Sequence, residues 1–177
     1  MLRLHVLRLS SVVVLAIACA GPLLAKNARK LSLRDLEGNK TRVSEYHGRV
    51  VVLNFWATWC GPCKEELPRL GQLSDSYKAQ NVAFILASID DQKKLSTVRE
   101  FVTQQQISLP VWVGGSSELL EDLSGTNIVP ATLILDGNGE IVRAINGEAR
   151  VEDVQEAVDW LLNGRQGRAP AARVKRY

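Results

Sequence analysis

Apolar runs and amphipathic stretches alternate along most of the chain. Val50 to Trp56 is a continuous apolar, β-branched run, the mark of a strand buried on both faces. Val82 to Ser88 is a second run of the same kind. Between them, Pro62 to Lys78 predicts a helix with Leu67, Leu70, Leu73 and Tyr77 inward; Pro68 lies inside it and should kink it. Upstream, Leu31–Arg34 and Thr41–Val43 flank Glu37-Gly38-Asn39 and predict a small β-hairpin. Downstream, Lys93–Gln105 carries Leu95, Val98 and Val102 at helical spacing, Leu109–Val113 predicts a short strand, and Ser116–Leu123 a short helix. Ala131–Asp136 and Glu140–Ile145 predict strands joined at Gly137-Asn138-Gly139. A last helix is predicted over Val151–Leu162, with Val151, Val154, Val158 and Leu161 on one face and Gly164 just beyond. The order predicts an α/β fold, a central mixed sheet with helices on both sides.

The 177 residues match one domain with tails, and 46% hydrophobic with 23% charged residues is ordinary globular composition. Residues 1–25 read as an export signal or anchor. Met1–Arg8 is short and basic, and Leu9–Ala20 is apolar but shorter than the roughly 20 residues of a confident membrane span. Leu15-Ala16-Ile17-Ala18-Cys19 resembles a bacterial lipobox, which would make Cys19 a lipidated first residue, although Ala16 stands where leucine is usual. Ala18-Cys19-Ala20 also fits a signal-cleavage rule that would release a soluble protein, and Leu9–Ala25 could stay as an uncleaved anchor interrupted by Gly21-Pro22. All three readings put the domain outside the cytoplasm, with a membrane-anchored protein favoured.

The net charge of +3 is unevenly placed. Arg3 and Arg8 lie in the leader, and Arg165, Arg168, Arg173, Lys175 and Arg176 in the last thirteen residues. Without those seven, 15 basic groups face 19 acidic ones, so the body carries −4. That excludes the basic surface patch of a nucleic-acid binder. The domain is expected to span residues 26–164, and 165–177 to form a basic disordered tail.

With Cys19 set aside, Cys60 and Cys63 are the only cysteines. A disulfide framework would need more. Cys60-Gly61-Pro62-Cys63 follows a buried strand and opens a helix. Unpaired N–H groups and the helix dipole there favour an anion, so the Cys60 thiolate, the attacking species in disulfide exchange, is stabilised. Cys63 lies about one helical turn on, close enough to resolve a mixed disulfide. Pro62 suits a first turn because it has no N–H to satisfy. Structural zinc usually takes four Cys or His ligands, and the body adds only His47, read as a surface residue, so no metal is expected. Copper(I) is disfavoured because Met1 is the sole methionine.

The segment Val52-Leu53-Asn54-Phe55-Trp56-Ala57-Thr58-Trp59-Cys60-Gly61-Pro62-Cys63-Lys64-Glu65-Glu66-Leu67-Pro68 resembles the active-site segment of the TlpA/ResA-like thiol–disulfide oxidoreductases, within the thioredoxin superfamily. The similarity continues through Ser88-Ile89-Asp90 and Val129-Pro130-Ala131-Thr132-Leu133-Ile134 to Asp136-Gly137-Asn138-Gly139, covering about residues 31–163. It implies a thioredoxin-like three-layer sandwich with an N-terminal hairpin and an insertion before a cis-proline strand. It implies that Cys60 attacks, Cys63 resolves and Pro130 is the cis-proline. Trp59, Gly61, Pro62, Val129 and Pro130 would border the bound substrate, the Val129 backbone pairing with it as an added strand.

Asn54 stands where thioredoxin has a buried aspartate, and it cannot shuttle a proton. Glu65 and Glu66 are the candidates for that task, against the ordinary reading of solvated dipole partners. Trp56 and Trp59 read as packing and site walls, and Lys64 as a solvated residue. No cofactor is implied. The expected activity is reduction of disulfides in exported proteins, with a membrane thiol reductant as electron donor and apocytochrome c maturation as one task. The competing readings are an oxidase or isomerase using the same pair, and a redox-sensing or copper(I)-binding module without turnover. A peroxiredoxin would place a proline in the Ala57-Thr58-Trp59 stretch, and this chain has none there.

Overall fold

The computed structural model describes residues 26–177, so Cys19 and the leader readings lie outside the described residues. One eight-stranded mixed sheet organises the molecule, in the order β2 (Lys40–Arg42), β1 (Ser32–Asp35), β5 (Val111–Val113), β4 (Val82–Ser88), β3 (Val50–Trp56), β6 (Ala131–Leu135), β7 (Ile141–Gly147) and β8 (Arg173–Arg176). Its centre is β3 (Val50–Trp56) and β4 (Val82–Ser88), parallel and buried at every position, as two uninterrupted apolar runs require. The predicted hairpin is β1 (Ser32–Asp35) and β2 (Lys40–Arg42). β5 (Val111–Val113) starts later than its apolar run because Pro110 has no N–H for the ladder; its carbonyl accepts from Leu86 N instead, at 2.9 Å.

α1 (Gly61–Ser76) connects β3 to β4, and Pro68 sits inside it without ending it. Its inward residues, Cys63, Glu66, Leu67, Leu70 and Leu73, recur at helical spacing. The insertion before β6 begins with a 3-10 turn, Gln92–Lys94, capped by the Asp91 carboxylate, and continues as α2 (Leu95–Gln104), β5 and α3 (Ser117–Ser124). Phe101 of α2 lies on Trp56 with ring centroids 5.1 Å apart. α3 is capped by Ser116 and stopped by Gly125.

β6 (Ala131–Leu135) runs antiparallel to β3, and β7 (Ile141–Gly147) antiparallel to β6. α4 (Val151–Leu162) buries Val154, Ala157 and Val158 against β3, β6 and β7. No helix among the described residues is long and apolar enough to cross a membrane. The first described residues join at the foot of the sheet: Ile141 N donates to Lys26 O and Ala28 N to Gly139 O, both at 2.8 Å.

The last thirteen residues are not a disordered tail. β8 (Arg173–Arg176) pairs in parallel with β7 and forms the sheet's outer edge. Two arginines of these thirteen residues, expected to be solvated, tie the segment down at its start and its end. Arg176 forms a two-pronged ion pair with Asp153, at 2.6 and 2.8 Å, and Arg165 pairs with Asp136. The guanidinium of Arg143 is buried and reaches Ala171 O at 2.9 Å, Asp153 O at 2.6 Å and Glu156 at 2.7 Å. At Gly147, φ is +97° and an added Cβ would run into the Arg176 carbonyl, so β8 lies closer there than any side chain allows.

Candidate active site

β3 and β4 end together, and the chain leaving β3 turns over Ala57–Cys60, closed by Cys60 N donating to Ala57 O at 3.1 Å. Cys60 is the N-cap of α1, and its sulfur accepts from Cys63 N at 3.2 Å. The two cysteines are joined in a disulfide with Cα atoms 5.3 Å apart. They differ in access: Cys60 is 5% exposed, and Cys63 is completely buried. An incoming group therefore meets Cys60 first, at the end of α1 whose dipole favours a thiolate.

The Val129–Pro130 bond is cis, as the resemblance implied. Pro130 immediately precedes β6, and its carbonyl accepts from Gly147 N at 3.0 Å, tying it to the end of β7. Val129 is buried, whereas Ile128 and Trp59 are exposed apolar residues, at 54% and 63%. Trp59 is therefore turned outward rather than packed in the core, and Trp56, three residues earlier, is fully buried. Gly61 and Pro62 are exposed at the helix start. His47 is exposed, and Lys64 is exposed with its ammonium 5.8 Å from the Phe101 ring centre.

The two candidate glutamates separate cleanly. Glu65 points to solvent, but Glu66 is only 1% exposed. Its Oε1 accepts from Thr132 Oγ1 at 2.9 Å and from Asn54 Nδ2 at 3.2 Å, and Asn54 Nδ2 also lies 2.9 Å from Thr132 Oγ1. Glu66 Oε2 and Asn54 Oδ1 have no partner among the described residues. Burial pushes the Glu66 carboxyl up to about 7; the Thr132 hydrogen bond, the nearby Ala149 N–H and the Arg69 charge oppose that rise only in part. The place of Asn54 in β3 thus carries no acid of its own but touches one supplied by α1.

Position 66 could have been read as inward, because Cys63, Leu67 and Leu70 mark that helix face. Its partners Asn54 and Thr132 carry no such signal, being 12 and 66 residues away. Asp90, which the sequence marks only as part of the family resemblance and with no role, is 4% exposed and bonded to the loop before Cys60.

A thioredoxin-like sheet, a helix opened by a Cys-Gly-Pro-Cys disulfide and a cis-proline strand at the same end define a thiol–disulfide oxidoreductase. The chain belongs to the AhpC/TSA family, whose profile matches residues 24–144. Among curated relatives, it is 32% identical over 133 residues to the thiol-disulfide oxidoreductase ResA of Bacillus thuringiensis subsp. konkukian, covering 75% of each chain. It is also 32% identical over 127 residues to ResA of Geobacillus kaustophilus, covering 72% of this chain and 71% of that one. Among solved structures, the thioredoxin-family thiol:disulfide interchange protein of Chlorobium tepidum superposes with a TM-score of 0.65 at 24% identity, covering 78% of this chain and 97% of that one.

Proposed function

We propose that the protein reduces disulfides in exported proteins, outside the cytoplasm, with Cys60 as nucleophile and Cys63 as resolving thiol. The observation that carries this reading is the disulfide at the start of α1, with Cys60 at the surface edge, 5% exposed, and Cys63 completely buried. In the reduced protein the Cys60 thiolate attacks one sulfur of a substrate disulfide, forming a Cys60–substrate bond. The leaving thiolate takes a proton from solvent. Cys63 then gives up its proton and attacks the Cys60 sulfur, which restores the Cys60–Cys63 bond and frees the second substrate thiolate.

Glu66 is the group to take the Cys63 proton. Both residues are buried on one face of α1, three positions apart, and a carboxyl near 7 is matched to proton exchange close to neutral pH. Glu65, exposed, is not suited to that task. Trp59, Gly61, Pro62, Val129 and Pro130 border the approach to Cys60, with Ile128 beside them. The Val129 backbone is the site for pairing with an extended substrate segment.

Each turnover leaves the pair oxidised, so a membrane thiol reductant supplies two electrons. Residues 1–25 read as a leader that would carry the domain to the outer side of the membrane, with lipidation at Cys19 the favoured anchor, and apocytochrome c maturation is a fitting task. The reduction potential of the Cys60/Cys63 pair tests the direction. A value below about −220 mV supports the reductase, whereas one above about −150 mV makes the protein a disulfide-forming enzyme. Failure of the reduced domain to cleave insulin disulfides would instead favour a module that binds or senses without turnover.

A further inference from the structure

We propose that Asp90 is a positioning residue for Cys60, acting through Thr58. Asp90 follows β4 and is buried, yet the exchange steps above make no use of it. Its carboxylate gathers three donors. Thr58 N reaches Oδ2 at 2.9 Å, Thr58 Oγ1 reaches Oδ1 at 2.7 Å, and Ser88 Oγ reaches Oδ2 at 2.9 Å. Two of the three come from one residue 32 positions away, so this is more than a local turn. A hydrogen bond to a charged group is about twice as strong as a neutral one, and two parallel bonds also fix orientation.

The two ends of this clamp differ in rigidity. On the Asp90 side, Ile89 N donates to Trp56 O at 2.9 Å, extending the β3–β4 ladder by one rung, and Gly115 N donates to Ser88 O at 3.1 Å. Gly115 approaches so closely that an added Cβ would lie 2.8 Å from the Ser88 carbonyl oxygen. The end of β4 is thus held from two directions. On the Thr58 side, the turn Ala57–Cys60 has a single backbone bond of its own, Cys60 N to Ala57 O. Thr58 is the second residue of that turn, and Cys60 is its last. Fixing Thr58 by both its N–H and its hydroxyl fixes the direction in which the chain delivers Cys60 to the cap of α1, facing Cys63. Without the clamp the turn gains freedom and the two sulfurs spend less time in bonding geometry.

The test compares Asp90→Asn, Thr58→Val and Thr58→Ser with the unmodified protein. Two readouts are used: the rate at which reduced Cys60 attacks a small aromatic disulfide at pH 7, and the equilibrium potential of the pair. Asp90→Asn and Thr58→Val should each slow attack about tenfold, as small misplacements of reacting groups do. The potential should rise by about 30 mV, which corresponds to a tenfold loss in the equilibrium constant for closing the disulfide. The double variant should be no worse than the poorer single one, because both changes weaken the same Asp90–Thr58 clamp, Thr58→Val at its hydroxyl arm and Asp90→Asn at the carboxylate. Thr58→Ser keeps the hydroxyl and should restore both values.

Rates within a factor of two of the unmodified protein with an unchanged potential would overturn the proposal, even if the melting temperature falls. A change in Asp90→Asn with none in Thr58→Val would overturn it as well, because the two are required to act together. Should Asp90→Asn fail to fold, the Thr58 pair carries the comparison. Neither readout depends on whether the natural direction is reduction or oxidation.

Discussion

Replacing Glu66 with glutamine isolates the energetic consequence of burying an acid beside the cysteine pair. In the folded protein this carboxyl stays protonated up to about 7, whereas in the unfolded chain it ionises near 4.5. Between those values the folded state binds the extra proton, so raising the pH favours unfolding. The stabilisation linked to that proton is complete below 4.5 and disappears as pH rises through 7. The interval is roughly 2.5 units at 1.36 kcal/mol each, so the linked loss is about 3 kcal/mol. Glutamine keeps an oxygen for Thr132 and has no proton to lose.

Urea unfolding of the oxidised protein and of Glu66→Gln at half-unit steps from pH 4.5 to 8 gives the difference between the two stability curves. Every other titrating group is common to both and cancels in that difference. Glu66→Gln should gain on the unmodified protein by about 3 kcal/mol across the window, most steeply between pH 5 and 7. Parallel curves, or a difference of opposite sign, would refute the reasoning from burial.

Three further outcomes follow from the geometry. Cys63→Ser should accumulate a mixed disulfide with substrate on Cys60, seen as an added mass removed by dithiothreitol, and Cys60→Ser should form none. Arg143→Ala leaves the carbonyls of Ala171 and Asp153 without their buried partner and should destabilise the protein by about 3 kcal/mol. In hydrogen exchange, the amides of residues 173–176 should open first in that variant. Gly147→Ala forces a side chain into positive φ and against the Arg176 carbonyl, at a cost of about 2 kcal/mol in thermal or urea melts.

The sheet's centre was legible because β3 and β4 are covered on both sides, and a strand so placed must be apolar throughout. α4 was legible to the residue, since a helix on a sheet shows its buried face every third or fourth position. β8 was not. An edge strand buries little, and Arg173-Val174-Lys175-Arg176 offers one apolar side chain among three charges, the same pattern as a solvated end. Its order comes from Asp153, the Arg143 guanidinium and the bare backbone of Gly147, none of them adjacent in sequence. In the site, the cysteine pair was visible through its local motif, and the cis-proline only through the family resemblance. The state of Glu66 and the grip of Asp90 on Thr58 depend on partners from other strands, which periodicity does not encode.

The chain enters the domain beside Ile141, while the cysteine pair sits at the other end of the strands, level with Gly147 and Pro130. The seven residues of β7 between these levels span about 20 Å. An anchor upstream of Lys26 would therefore act as a leash fastened at the base of a post, with the reactive sulfur at its top. A client floating in the aqueous space could reach that sulfur without touching lipid. An electron donor embedded in the bilayer would have to extend a domain of matching height, or wait for the post to lean over. The length and stiffness of the leash would then set how often reduction equivalents arrive, independently of the chemistry at Cys60.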